Sequence, residues 1–562
     1  MRSLATRGLA AVLALGFGVG CTSVEEVAEY PVVAETKVTF VEVSAAAGID
    51  FVHHNGRSGQ KWLPEALGSG VAFIDYDADG YPDLFFVNSG PFEPQADGPT
   101  SRLYHNNQDG TFTDVTVVAG LNVAMYGLGV AFGDYDNDGF DDLYVTALAG
   151  DHLFHNQGDG TFVDVSVEAG IDNANFGTSV AFLDYDRDGL LDILVNNYVQ
   201  WSPETDIWCT LDGDSKTFCT PESYAGNPSK LYKNLGEGKF RDVALAAGVA
   251  DSSSKALGAT ILDVDGDGWP DIFQANDTEP NKLYMNQQDG TFEDVGLIAG
   301  VAFAEDGKAR GAMGVAAADY DRSGRPHLVV GNFSNEMVNL FHNEGTGLFV
   351  DDAPTSELGR ESLLALTFSM FFFDYDLDGW QDIFAANGHL DEEINSVQPR
   401  VTFAQSPQLF RNVERGRFEL ANEKLGPDFS QPIVARGAAY ADYDRDGDLD
   451  VVVSINNGPA RLFRNDGGNA NNYLSIQLVG DRSNRNGFGA AVTLTSASGT
   501  QSQTAASGSS YCSQSESVLT FGLGSDDVIE TLEVSWPSGK TQTFENVTAN
   551  KLIRIHETTG QL

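Results

Sequence analysis

The chain has 562 residues, of which 42% are hydrophobic and 10% aromatic, enough to build a core, so wholesale disorder is excluded despite the acidity. Its 33 Lys and Arg against 81 Asp and Glu give a formal charge of −48, which argues against nucleic acid and anionic lipid head groups as partners. No Cys or His spacing forms a zinc motif.

At the start of the chain, Arg2 and Arg7 precede an apolar run from Leu9 to Val19, too short to span a bilayer and right for a secretory core. Gly18, Val19 and Gly20 lead to Cys21, which resembles a bacterial lipoprotein signal. Residues 1–20 are therefore expected to be removed, Cys21 to be lipidated, and 21–36 to form a linker. The lipid is the one membrane attachment expected, and the chain is read as an outer-membrane or cell-surface lipoprotein of a bacterium, or else as secreted. Export agrees with a disulfide between Cys209 and Cys219, ten residues apart in a turn-rich segment, which leaves Cys512 a packing role.

The first predicted element is a strand, Thr39-Phe40-Val41-Glu42-Val43, followed by Ala47-Gly48-Ile49. Next comes the first of seven related loops, with Asp75, Asp77, Asp79 and Asp83 at positions 1, 3, 5 and 9 around Gly80. The second loop holds Asp134, Asp136, Asp138 and Asp142, the third Asp184, Asp186, Asp188 and Asp192, and the fourth Asp263, Asp265, Asp267 and Asp271. The fifth keeps Asp319 and Asp321 but has Ser323 and His327 at positions 5 and 9. The sixth holds Asp374, Asp376, Asp378 and Asp382, and the seventh Asp442, Asp444, Asp446 and Asp450. Four carboxylates in this spacing, with a carbonyl at position 7, supply the six or seven oxygens that Ca²⁺ prefers. About six calcium sites are expected, with a weak or empty seventh at Asp319. An EF-hand is excluded, because position 12 is Phe86, Val145, Val195, Gln274, Ala385 or Val453 instead of Glu, and both flanks read as strands.

Between loops a Leu-aromatic-x-Asn element recurs, beginning at Leu103, Leu153, Leu231, Leu283, Leu340, Leu409 and Leu462. A later Phe strand recurs at Phe112, Phe162, Phe240, Phe292, Phe349 and Phe418. Four short strands per unit of about 60 residues predict an all-β fold, a seven-bladed β-propeller over 37–467. The seventh unit lacks its Phe strand, and the Phe40 strand is expected to supply it and close the ring. Residues 468–562 lack the repeat and read as a small β-sandwich-like module after an Asn465-Asp-Gly-Gly-Asn linker. His105, His155 and His342, in third strands, read as ordinary blade positions.

The repeats resemble the FG-GAP/VCBS blades of integrin α-subunits, and the whole chain resembles the cartilage acidic protein family with its ASPIC/UnbV domain. The resemblance is carried by Gly68-Ser-Gly-Val-Ala-Phe73, Asn276-Asp277, Asn387-Gly-His389, Asn486-Gly-Phe-Gly-Ala490, Ser513-Gln514, Phe521-Gly-Leu-Gly524 and Trp536-Pro-Ser-Gly539. It implies calcium-dependent extracellular binding or adhesion and brings no substrate with it.

Hairpin parity puts the calcium loops on one face and the variable connections on the other. There, Trp201 and Trp208 lie in an insert from about Gln200 to Ser229, and a second long connection runs from His389 to Pro407. Asn276, Asp277, Asn387 and His389, with Asn88, Asn197, Asn332, Asn456, Glu65, Arg310 and Arg436, are expected on the same face, either as a ligand mouth or as caps of strand ends around a wet channel. His53 and His54 beside Glu65, with His389, form a weaker candidate for a transition metal. The expected function is a surface-anchored binding or adhesion scaffold for an extracellular protein or glycan. The alternative is a propeller lyase or hydrolase acting on extracellular polysaccharide, although no nucleophile and base or close acid pair stands out.

Overall fold

The computed structural model describes residues 37–92, 98–211 and 213–560. The predicted signal, Cys21 and the linker lie outside these. Among the described residues the repeats form seven four-stranded antiparallel sheets. Their first strands are Val71–Ile74, Gly127–Gly133, Gly177–Leu183, Ala256–Leu262, Val315–Ala318, Thr367–Phe373 and Ala435–Ala441. Small and aliphatic residues dominate these strands, so each can be covered on both faces. Each packs against the next, and the seventh packs against the first, so the ring closes as a β-propeller.

The fourth strand of the seventh sheet comes from the start of the chain. Thr39–Glu42 pairs antiparallel with Arg461–Asp466, and Phe40 stands opposite Asn465. The Phe40 ring is fully buried against Tyr375 and Phe429.

Two residues of each repeat hold neighbouring blades together. The Tyr at loop position 2 is buried against the Phe of the following blade, as in Tyr76 with Phe162, Tyr135 with Phe240 and Tyr443 with Phe112. The Asn of Leu-aromatic-x-Asn donates its amide to the backbone carbonyl of that same position-2 residue one blade back. Asn156 reaches Tyr76, Asn234 Tyr135, Asn286 Tyr185 and Asn412 Tyr320, each at 2.8 Å.

After residue 468 the chain builds two more sheets. Asn472–Val479 lies between Leu519–Gly524 and, in parallel, Lys551–His556, while Ala491–Ser496, Gly499–Thr504, Val528–Ser535 and Thr541–Thr548 form the other. Leu474, Ile476, Val492, Leu494, Phe521 and Leu532 fill the space between them. The expectation of a module hung on a linker is corrected here. Its core runs on into blades 2 and 3 through Tyr135, Phe182 and Ile193, and the described residues form one compact unit.

The expected wet channel is also corrected. A segment between two C-terminal strands, Ser507–Glu516, enters the axis of the ring, and every residue from Ser510 to Ser515 is buried. Beyond it the axis is apolar, lined by Leu67, Leu128, Leu257, Met313 and Phe368.

Candidate metal centres

Each loop bridges a first and a second strand and is closed by its own carboxylates. The position-1 Asp accepts the N–H of the Gly at position 6: Asp75 from Gly80 at 3.0 Å, Asp134 from Gly139 at 2.7 Å, Asp374 from Gly379 at 2.7 Å. The position-9 Asp accepts the backbone N–H of the motif Asn, as in Asp83 from Asn106 at 2.7 Å and Asp382 from Asn412 at 2.7 Å. Position 4 is left-handed at Ala78, Asn137, Arg187, Arg322, Leu377 and Arg445. The loop thereby turns its carboxylates inward.

Asp134, Asp374, Asp83 and Asp382 are held through both oxygens, whereas Asp75 keeps one oxygen unbonded. Asp75 Oδ1, Asp77 Oδ1, Asp186 Oδ1, Asp376 Oδ1 and Asp442 Oδ1 are buried with no hydrogen-bond partner. Ligand atoms of Asp75, Asp77 and Asp79, and of Asp134, Asp136 and Asp138, lie within 4.8 Å of one another. Burial, reinforced by adjacent carboxylates, raises Asp75 to about 6, Asp134 to about 7 and Asp442 to about 8. Clustered, partly buried carboxylate oxygens of this kind fit a hard divalent cation.

The fifth loop differs chemically. His327 Nδ1 accepts the Asn343 N–H at 2.9 Å, in the place where the other loops offer a position-9 carboxylate oxygen. Its Nε2 therefore carries hydrogen and donates to Asp321 Oδ1 at 2.9 Å, so an N–H points to the centre where the other loops turn an oxygen. Against the effect of burial, the hydrogen bonds of His327, Ser323 and His342 hold Asp321 below the ordinary carboxylate range.

The third-strand position before the motif Asn stands over the loops, which corrects its reading as an ordinary blade position. His105 Nδ1 lies 3.4 Å from Asp77 and 3.3 Å from Asp83, and His155 Nδ1 lies 3.0 Å from Asp142. Lys233 pairs with Asp186, and Arg411 bonds Asp376 at 2.9 Å and Asp378 at 2.6 Å. The motif Asn and the position-2 Tyr also escaped sequence reasoning as joints between blades. Their recurrence in nearly every unit without any ligand role was the available signal.

On the opposite face most of the expected ligand residues are internal. Asn276 donates to the Pro280 carbonyl and accepts from Ser254, and Asn387 donates to Ser406 and accepts from Thr367. Asp277 takes the Tyr198 hydroxyl at 2.6 Å, and burial raises it to about 7. His389 Nδ1 accepts the Asp391 N–H, and burial brings it down to about 4. These side chains hold loops to strand ends, where unpaired backbone groups would otherwise be buried, and only His389 Nε2 among their named atoms is left buried without a partner.

Arg436, with no exposed surface, gives its guanidinium to the carbonyls of Ala66, Gly388 and Ala435. His53 accepts the Asn457 N–H on Nδ1 and faces Ser89 through Nε2, so neither ring nitrogen is free for a metal or for base catalysis.

The insert is joined by a Cys209–Cys219 disulfide. Its two tryptophans part company. Trp201 is 8% exposed, gives its indole N–H to Asp206 and packs against Trp62 and Phe92, whereas Trp208 is 67% exposed. Trp201 is thus corrected from a surface contact to a support. Beside it lies a cleft of about 1410 Å³ lined by Tyr126, Phe176, Gln200, Trp201 and Asn227.

An FG-GAP-like repeat model matches residues 75–145, 146–195 and 263–330, and an ASPIC and UnbV model matches 480–562. Cartilage acidic protein 1 of Homo sapiens is 30% identical over 326 residues, 57% of this chain and 46% of that protein. The Mus musculus protein is 30% identical over 309 residues, 54% and 44% of the two chains. The chain thus spans less than half the length of these curated relatives. Among solved structures, an Agrocybe aegerita lectin that recognises non-reducing terminal N-acetylglucosamine is similar at 16% identity and a TM-score of 0.37 over 71% of this chain and 94% of its own. A rhamnogalacturonan lyase is similar at 12% identity and a TM-score of 0.35 over 70% and 71%. Scores this low carry nothing about function. The chain thus carries FG-GAP-like repeats and an ASPIC and UnbV segment and is similar to the cartilage acidic proteins.

Proposed function

We propose that the chain is a calcium-loaded extracytoplasmic binding scaffold, anchored through Cys21, that holds an extracellular protein or glycan on the face opposite the calcium loops. The observation that carries this reading is the occupation of the loop face. Loops 2, 3, 5, 6 and 7 are met by the C-terminal sheets, through Asn486, Pro537, Ser498, Gly524 and Glu516. The axis is filled as well. The long connections, the exposed Trp208 and the neighbouring cleft are left on the other side, and an exposed aromatic on a rigid frame suits sugar stacking or a protein hot spot.

In the loops, calcium would be held by the position 1, 3, 5 and 9 carboxylates of blades 1, 2, 3, 4, 6 and 7. It would supply the positive charge that lets them sit together unprotonated. The chain's own part is to fix those oxygens through the Gly and Asn N–H groups.

The test is an array of glycans and extracellular proteins probed with the mature chain in millimolar calcium and in chelator, with metal analysis alongside. Binding that needs calcium, with about six ions per chain, supports the reading; fewer than three ions, or no calcium-dependent ligand, removes it. Replacing Cys21 by Ser should abolish lipid labelling, and an unlabelled, wholly soluble wild type overturns the anchor.

A further inference from the structure

The segment in the axis is built into the ring strand by strand. Gln514 donates its N–H to the Val71 carbonyl and accepts from Phe73, each at 3.1 Å, while its side-chain amide bonds Phe132 in both directions at 3.1 and 3.2 Å. The Cys512 carbonyl accepts from Val130 at 3.1 Å, and Ser510 exchanges bonds with Val315 at 2.7 and 3.1 Å. Tyr511 reaches through to the Leu67 carbonyl at 3.1 Å and lies edge-on to Phe368. The inner strands have no neighbour on their axial edge, so this plug satisfies backbone groups that would otherwise be buried unpaired. Gly70 makes room for it: a Cβ there would meet the Cys512 carbonyl at 1.6 Å.

Loops of the proposed calcium sites hold the end of the plug at Glu516 and the C-terminal segments on either side of it at Asn486 and Gly524. Glu516 accepts the Asp442 N–H at 2.7 Å and pairs with Arg445 at 2.9 Å, both in loop 7. Asn486 accepts the Asp134 N–H at 2.9 Å and donates to Asp141 at 2.6 Å in loop 2. The Leu377 carbonyl of loop 6 accepts the Gly524 N–H at 2.9 Å. The groups that hold the C-terminal sheets are thus backbone atoms of the same turns whose shape depends on gathered carboxylates, together with the Arg445 and Asp141 side chains. A bare loop, with its acids repelling one another, would lose that shape first.

We propose that the C-terminal sheets and their axial plug form a calcium-dependent latch: filling loops 2, 6 and 7 seats the plug, and emptying them withdraws it while the blades remain folded. The inference rests on the calcium reading above. The two events are linked, so the factor by which bound ions favour seating is the factor by which seating favours ion binding.

Cys512 reports the state directly. It is fully buried in the plug, where burial raises its thiol to about 12, and it is the free cysteine among the described residues. The experiment is maleimide labelling of the mature chain in calcium and in chelator, with circular dichroism and metal analysis in parallel.

In calcium the thiol should be protected. In chelator it should label at least tenfold faster with the β-sheet signal retained. Gly70→Ala, which denies the plug its space, should label quickly even in calcium. The same Gly70→Ala variant, whose change lies at the axis against Cys512 and touches no candidate ligand, should bind calcium about fivefold or more weakly.

Equal labelling with and without bound calcium overturns the latch and leaves the calcium reading standing. So does labelling that appears only with loss of the sheet signal. A chain that holds no calcium overturns both.

Discussion

The Asn106 side-chain amide donates to the Tyr443 carbonyl at 2.8 Å across 337 residues of sequence. It is the same bond that Asn156 makes to Tyr76, but it joins the first blade to the last. The seam of the ring is therefore bonded like every other joint. Asn106→Ala would leave the Tyr443 and Pro82 carbonyls and the Gln108 N–H without their partner, at ~1–3 kcal/mol for each buried group orphaned. The mid-ring Asn286→Ala removes the equivalent set and should cost as much. Thermal melts in calcium check this. Destabilisation by Asn286→Ala alone would show the seam open.

Phe40→Ala tests closure from the other side. The ring is fully buried against Tyr375 and Phe429, so truncation should cost ~3–5 kcal/mol. Removing residues 37–44 should do more, by exposing an edge of Arg461–Asp466. A deletion variant that melts like the wild type would show that this strand does not complete the seventh blade.

Glu557 gives the C-terminal sheets an acid limit. Burial opposes its charge, but the Ser538 hydroxyl and the N–H groups of Asp481, Ser483 and Arg482 outweigh burial and bring it from 4.5 down to about 2. A depressed carboxylate stabilises the fold fully above its unfolded value and loses that contribution as the pH falls through its folded one. Glu557→Gln should therefore destabilise by ~1.5–3 kcal/mol near neutrality. The gap to the wild type should close between about pH 4.5 and pH 2. Melts across that range decide it, and a gap that persists at the acid end contradicts the assignment.

Trp208 and Trp201 should separate in behaviour. Trp208→Ala removes an exposed ring, so melting should be unchanged while ligand binding weakens tenfold or more, ~1.4 kcal/mol. Trp201→Ala removes a packed ring with a bonded indole, so it should lower the melting temperature first. Binding unaffected by Trp208→Ala would move the ligand site elsewhere on that face.

Much of this was legible from spacing. The Asp-Tyr-Asp-x-Asp-Gly turns located the hairpins, and the missing Phe in the seventh unit pointed to Phe40 as its partner, because a propeller cannot leave an edge open. Burial of the polar residues on the opposite face was not legible. Asn276, Asn387 and His389 look alike in sequence whether they meet a ligand or a loop's backbone groups, and only the path of the long connections decides which. The plug was hidden for a different reason. Ser507–Glu516 lacks the apolar pattern of a core segment, because its task is to satisfy N–H and C=O groups with serines, a glutamine and its own backbone.

The filled axis also bears on how the chain comes to be folded. Its first described strand completes the last blade, and its inner lining arrives only with residues 507–516, so both ends must be present before the ring is finished. Such long-range pairing makes for slow folding. A chain that stops before Ser507 would present inner strand edges with nothing to meet them, a template for joining other chains. Completion of the whole length before the ring closes is thus favoured over folding piece by piece as the blades emerge.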